Sequence, residues 1–437
     1  MSHRHRFALV VALALGSPAR AAEPHRFRAQ EIDPRVGDVC YAVAVADVDG
    51  DGKPDVVAVA GDAVVWYQNP TWTKHDIIRG ITERDNVCLQ PHDIDGDGRV
   101  DFALGAAWRP SDTKGGGTLQ WLTRTGAPEG TWRSIPILSE PTLHRVRWGD
   151  VLGTGKKQLI VAPLQGRGTK GPDWGAGNGS RIMALTVPAD PFKEPWPVEV
   201  LTDKLHTVHN LQVKDFDGDG RDDLLLAAWE GVFVLRKDKD GRWNPTKFGE
   251  GDQESKPFKG SSEIKLGKLR DGRPYVATIE PWHGSTVVVY TPVTGVSAGI
   301  SSAELRRIDA NLWRRQPIDA PIQWGHAVWC ADLDGDGDEE LIVGQRDKNP
   351  EITTNLAPSG MSFGPGLPPK LRGPGVLVYD PEDGVTVPHF KKYAIDDGGV
   401  AVEDLVAADL DGDGRPEIIA GGRATHNVKI YWNLKPE

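Results

Sequence analysis

Asp47-Val48-Asp49-Gly50-Asp51-Gly52-Lys53-Pro54-Asp55 is the stretch on which the fold turns. Its pattern, D-x-D-G-D-G-x-x-[D/E], begins again at Asp93, Asp215, Asp332 and Asp409. Two eroded copies fill the gaps, D-V-L-G-T-G-K-K-Q from Asp150 and K-L-R-D-G-R from Lys268. Seven copies spaced 46 to 77 residues apart form an internal repeat, and a repeat of that period fixes the architecture before any other signal does. Acids at the first, third, fifth and ninth positions offer a hard divalent cation the oxygen ligands it prefers. The glycines between them permit the tight turn that such a cage needs.

The acids are Asp47, Asp49, Asp51 and Asp55; Asp93, Asp95, Asp97 and Asp101; Asp215, Asp217, Asp219 and Asp223; Asp332, Asp334, Asp336 and Glu340; and Asp409, Asp411, Asp413 and Glu417. An EF-hand loop closes with a bidentate Glu at its twelfth position and lies between helices. Here the last acid comes at the ninth, and the flanks, A-V-A-V-A before and D-V-V-A-V-A after, are strand-like. The loops therefore read as β-hairpin sites for structural Ca2+ or Mg2+, not as catalytic centres.

Each repeat carries four strand-like runs rich in Val, Ile, Trp and Tyr and bounded by Gly, Pro and Asp. Four-stranded units repeated radially make a β-propeller. Only six fourth strands lie between the seven repeats, and His25–Ile32 supplies the pattern of the missing one. The prediction is an all-β, seven-bladed propeller over residues 22–437, closed by an N-terminal strand that completes the last blade and removes the exposed edges. The longer intervals hold Gly/Pro-rich insertions at 166–179 and 349–374.

Residues 1–21 read as a secretory signal: Arg4 and Arg6 precede the apolar run Phe7 to Leu15, and Ala19-Arg20-Ala21 fits a cleavage site. The run is too short to span a bilayer. An exported chain, periplasmic or secreted, is expected, with no membrane partner. Its net charge of −11 becomes about −14 without that segment, which argues against nucleic acid. Three cysteines are too few for a disulfide framework.

The aspartate loops also serve as rulers. The strand before each loop runs toward it and the strand after runs back, so the far ends of both strands share the opposite face. Six residues before the seven loops stand Tyr41, Val87, His144, His209, Ser262, His326 and Glu403. Three histidines at one repeat position are the sharpest chemical signal in the chain. The returning strands add Trp108, Arg109, Trp229, Glu230, Trp282, His283, Arg346 and Arg423 to that face. His283 falls between the repeats of His209 and His326. Three imidazoles with an open fourth position are what catalytic zinc takes, which leaves His144 as an acid/base near neutral pH. The plainer reading makes each of these histidines a hydrogen-bonded structural residue. Trp108, Trp229, Trp282 and Trp324 stand where a sugar ring can stack, beside Arg109, Glu230, Glu403 and Arg423.

The loops resemble those of the FG-GAP/VCBS-type propellers of integrin alpha chains and many exported bacterial proteins. A narrower resemblance rests on T-L-H-R-V-R-W-G-D (142–150), L-H-T-V-H-N-L (205–211), I-E-P-W-H-G (279–284) and W-G-H-A-V-W-C-A-D-L-D-G-D-G-D (324–338). These are similar to the propeller domain of the aldos-2-ulose dehydratase family, also called 1,5-anhydro-D-fructose dehydratase. The resemblance implies a zinc-dependent dehydration of a keto sugar, with His209, His283 and His326 on the metal and His144 as acid/base.

Two other functions fit the same face. A glycan- or protein-binding propeller needs the aromatic and arginine residues but no three-histidine set. A polysaccharide lyase for uronic-acid polymers would pair Tyr41 with His144 and neutralise the carboxylate with Arg346 and Arg423.

Overall fold

The computed structural model describes residues 25–124, 130–293, 313–346, 373–382 and 387–435. The expected signal segment and most of the 349–374 insertion lie outside them. The described residues form β-strands and no helix, in seven four-stranded antiparallel sheets that make the blades of a propeller. Blade 1 consists of β2 (Cys40–Ala46), β3 (Asp55–Ala60), β4 (Ala63–Gln68) and β5 (Thr73–Arg79). Each following blade adds four strands in the same order. The remaining innermost strands are β6 (Cys88–His92), β10 (Leu143–Gly149), β14 (Asn210–Lys214), β18 (Ile264–Lys268), β22 (Gly325–Ala331) and β26 (Val402–Ala408). The order of the last sheet is β1 (Phe27–Asp33), β28 (Val428–Asn433), β27 (Glu417–Gly422), β26, so the N-terminal strand does close the ring.

The closing strand is displaced from the expected 25–32. It starts at Phe27, and His25 instead turns into the sixth blade, with its Nε2 3.5 Å from Asp380. Asp33 at the other end of β1 latches the seam, because Tyr67 Oη and Lys74 Nζ of blade 1 donate to its Oδ2 at 2.6 and 2.7 Å.

The core lies between blades. The strands that follow the loops, such as β3 and the strands Asp101–Ala106, Gln158–Pro163 and Asp223–Ala228, are buried along their length, as the apolar runs in the sequence require. Close approach explains the glycines in these strands: a Cβ on Gly105 would meet Leu143 of the next blade at 2.5 Å, and one on Gly344 would meet Val402 at 2.4 Å.

In three of the intact loops the acids at the first, third and ninth positions converge: Asp47, Asp49 and Asp55; Asp93, Asp95 and Asp101; and Asp215, Asp217 and Asp223. In three loops the fifth-position carboxylate takes the base two residues on, Asp51 with Lys53, Asp97 with Arg99 and Asp219 with Arg221. In the eroded third copy, Gln158 takes the place of the last acid: its amide oxygen accepts from Leu152 N and its nitrogen donates to Thr154 Oγ1. An amide donor thus stands where the other loops gather negative charge. All three cysteines are free, and no helix among the described residues is long and apolar enough to cross a membrane.

Candidate metal centre on the face opposite the loops

At four of the seven positions six residues before the loops, a local irregularity re-aims the side chain. At Tyr41, His144, His326 and Glu403 the pairing register of the innermost strand slips by one, the signature of a β-bulge. The extra residue loses its ladder partner and its side chain is re-aimed. Two residues earlier the chain turns through the left-handed region at Asp85, Thr142, Thr207, Gly260 and Trp324. His283, in the turn after the strand Pro274–Glu280, also has φ at 51°. Such conformations strain non-glycine residues and persist only where the surroundings enforce them.

A single pattern of hydrogen bonds orients the ring histidines. Nδ1 of His144 donates to the carbonyl of His209 at 3.0 Å, Nδ1 of His209 to that of Ser262 at 3.1 Å, and Nδ1 of His326 to that of Glu403 at 2.6 Å. Each imidazole thus binds the backbone at the equivalent position of the next blade. This fixes the tautomer: with Nδ1–H committed, Nε2 carries the lone pair. Glu263 adds a carboxylate oxygen 2.9 Å from His209 Nδ1, without a hydrogen bond of its own at that atom. A carbonyl or carboxylate behind a histidine is the usual support of a metal-binding imidazole.

The rings meet at the axis. His209 and His283 bring their Nε2 atoms to 2.8 Å, and His326 lies with its ring centre 5.1 Å from that of His209 and 5.0 Å from that of His283. One nitrogen from each falls within 4.8 Å of the others. Burial holds the basicity of His209 down, and that of His283 and His326 well down, with Arg346 adding to the effect on the latter two. Three neutral, pre-oriented imidazoles are the donor set that a three-histidine zinc site requires. On one tetrahedral ion two such nitrogens stand roughly 3.3 Å apart, so the pair need open by only a fraction of an ångström.

His144 lies against His209, with ring centres 4.8 Å apart, but its free nitrogen is taken. Its Nε2 accepts a hydrogen bond from Arg145 Nη1 at 3.0 Å, and its ring stacks on Trp108 with centres 4.6 Å apart. Burial first, then Arg145, keeps it well below the ordinary histidine range. Glu403 is bound by Arg423 through Oε1 at 2.9 Å and approached by Arg346 at 3.8 Å, while its Oε2 is buried without a hydrogen bond.

Trp282 stacks on His283 at 4.6 Å, Trp324 flanks the same ring, and Arg346 lies over Trp324. Tyr41 donates to Asp85, has Arg423 over its ring, and is pushed up to about 12 by burial. Other predicted face residues lie outside this constellation. Trp229 is buried beneath Gly175 of the 166–179 insertion, Glu230 holds His206 Nδ1 at 2.5 Å, and Arg109 pairs with Glu83.

Sequence reasoning did not single out Arg145 or Glu263. Both stand one place after the ring position, so the same ruler moved by one residue finds them. His25, which forms a convergent set with Asp334 and Glu340, carried no such signal, because it comes from outside the repeats.

Residues 116–293 match a family model described as the beta-propeller domain of aldos-2-ulose dehydratase, and residues 47–104 match an FG-GAP-like repeat. The chain resembles the aldos-2-ulose dehydratase propeller. The matched segment contains His144, His209 and His283, and His326 lies beyond it. Aldos-2-ulose dehydratase of Phanerodontia chrysosporium is 29% identical over 250 residues, 54% of this chain and 26% of that protein. The chain thus matches about a quarter of the length of its curated relative. A solved Agrocybe aegerita lectin, described as recognising non-reducing terminal N-acetylglucosamine, covers 91% of this chain and 86% of its own at 13% identity and a TM-score of 0.45. That likeness is too slight to bear on function.

Proposed function

We propose that this chain is a carbon–oxygen lyase that removes water, or another β-leaving group, from a keto sugar such as 1,5-anhydrofructose or a 3-keto-glycoside. The observation that carries the proposal is the convergence of His209, His283 and His326 as neutral imidazoles at the propeller axis. The resemblance to aldos-2-ulose dehydratase supplies the substrate class. His209, His283 and His326 would hold the zinc, with the Ser262 and Glu403 carbonyls and the Glu263 carboxylate fixing their rings. When bound, zinc supplies Lewis-acid polarisation of a substrate ketone.

The chain's own groups do the rest. Glu403 Oε2 accepts no hydrogen bond, with Arg346 Nη1 and His326 Nδ1 each 3.8 Å away, and it takes the proton from the carbon next to the ketone. The C–O bond to the next carbon then breaks, a C=C bond forms, and the same carboxyl returns its proton to the departing hydroxide as water. Arg423 and Arg346 hold Glu403 in place. Trp282 and Trp324 wall the site and offer faces to a sugar ring. His144 can share in the proton transfer only when Arg145 leaves its Nε2. The aspartate loops, in this reading, bind structural calcium on the other face.

The test is turnover of 1,5-anhydrofructose by the full chain, zinc-loaded and stripped. Loss of turnover on stripping and recovery on adding zinc support the proposal. Undiminished turnover by zinc-free protein would contradict it.

A further inference from the structure

A second chamber occupies the central channel on the aspartate-loop side of the histidines, with a volume of about 490 Å3. Most of its walls come from residues one to five places beyond the ring positions on the innermost strands. Arg145 and Lys265, each only 7% exposed, line it, and the half-buried Trp148 and Trp329 wall its loop side. It therefore lies on the loop side of the histidine mouth.

The charges in this chamber do not balance. Arg145, Arg147 and Lys265 face it, against Glu263 and Asp404. Among the described residues no carboxylate stands within ion-pair distance of any of the three cations. Glu263 is turned to His209 and to Asn210 Nδ2, and Asp404 accepts from Val43 N. Arg147 donates to Val146 O and Asn210 Oδ1, Arg145 to His144 Nε2 and O, and Lys265 sits 4.5 Å from the Trp329 ring centre. Buried cations without a counter-charge are costly. Guanidinium groups remain charged whatever the pH of ordinary work, so the imbalance calls for an anion from outside.

The chamber's size and chemistry narrow what that anion is. Its volume is that of a small-molecule site, larger than an inorganic ion fills. Guanidinium forks match a carboxylate in shape, and the indoles of Trp148 and Trp329 give an organic body apolar walls. We propose that the chamber is a binding site for a small organic carboxylate, with its charge on Arg147 and Lys265 and its body against Trp329.

Calorimetric titration of the full chain tests this, with glucuronate and acetate as the anions, inorganic phosphate as a rival anion and glucose as the uncharged control. The expected result is saturable binding of one glucuronate per chain and none of glucose. Lys265→Met and Arg147→Met should each weaken it at least tenfold, and His283→Ala should leave it unchanged. Absence of saturable carboxylate binding, binding of phosphate alone, equal binding by folded Lys265→Met, or loss in His283→Ala would each overturn the proposal. Should the chamber variants fail to fold, crystals of the wild-type chain grown with bromoacetate decide it. An anomalous bromine peak in the chamber upholds the site, and a peak only at the histidines, or none, refutes it. Dehydration is not measured in either experiment, so the outcome stands apart from that of the proposed reaction.

Discussion

The Nε2 atoms of His209 and His283 lie 2.8 Å apart although the two residues come from different blades. Nδ1 of His209 is committed to the Ser262 carbonyl, so its Nε2 faces His283 with a lone pair. A neutral His283 that carries its ring proton on Nε2 donates to that lone pair, and burial disfavours a second proton on either ring. A bound cation resolves the same contact, and the support behind His209 should tune how tightly it does so. Glu263→Gln is expected to weaken zinc binding by about 10- to 100-fold with the fold intact. Competition against a chelator of known affinity measures it, and an unchanged affinity would remove Glu263 from the account.

Glu403 and His144 differ in what their free atoms face, and the difference should appear in rates. Glu403→Gln is expected to keep zinc and lower kcat by about 10²- to 10⁴-fold, the usual contribution of a positioned acid or base. His144→Ala, which removes a nitrogen already bonded to Arg145, should lower it less. The reverse order of effects would assign the proton transfer to His144.

The ninth-position acids make the aspartate loops sensitive to pH. Burial pushes Asp55 and Asp101 up to about 6, Asp223 and Glu417 to about 7, and Glu340 to about 9. A carboxyl raised in the folded state favours folding while it is protonated in both states, below about pH 4. That contribution is lost as pH rises through 6 to 7, and up to 9 at Glu340. In chelator, Tm should therefore fall between pH 5 and 8, and the gain in Tm on adding calcium should grow over the same range. Thermal unfolding with and without calcium checks the sign; a gain that shrinks as pH rises would exclude these acids as the cation's ligands.

Much of this architecture is legible in the residues. The loop from Asp47 gives the repeat, the repeat gives the blades, and counting back six finds a position that the structure marks with bulges at Tyr41, His144, His326 and Glu403. That position works as a ruler because each loop and its strand are one rigid hairpin. What the pattern does not carry is the partner of each side chain. Arg145 capping His144, Gly175 covering Trp229 and His25 entering the sixth blade are contacts between segments far apart in sequence or outside the repeat. No periodicity encodes them.

The ring's closure depends on a latch that can be cut. Asp33 accepts from Tyr67 and Lys74 across the seam. Burial raises its pKa, but these two donors more than offset that and hold it below the usual carboxylate range. Asp33→Ala should cost about 1–3 kcal/mol, because it strands the buried Tyr67 hydroxyl. Urea unfolding measures this. No loss of stability would mean that pairing of β1 with β28 closes the ring without help.

The central claim is that His209, His283 and His326 bind one zinc ion between them. X-ray absorption at the zinc edge, on protein loaded with one equivalent in the presence of calcium, tests it most directly. The account predicts three imidazole nitrogens at about 2.0–2.1 Å and one further oxygen or nitrogen, a shell that changes in His283→Ala. A shell of carboxylate oxygens alone, unaltered by His283→Ala, would contradict it.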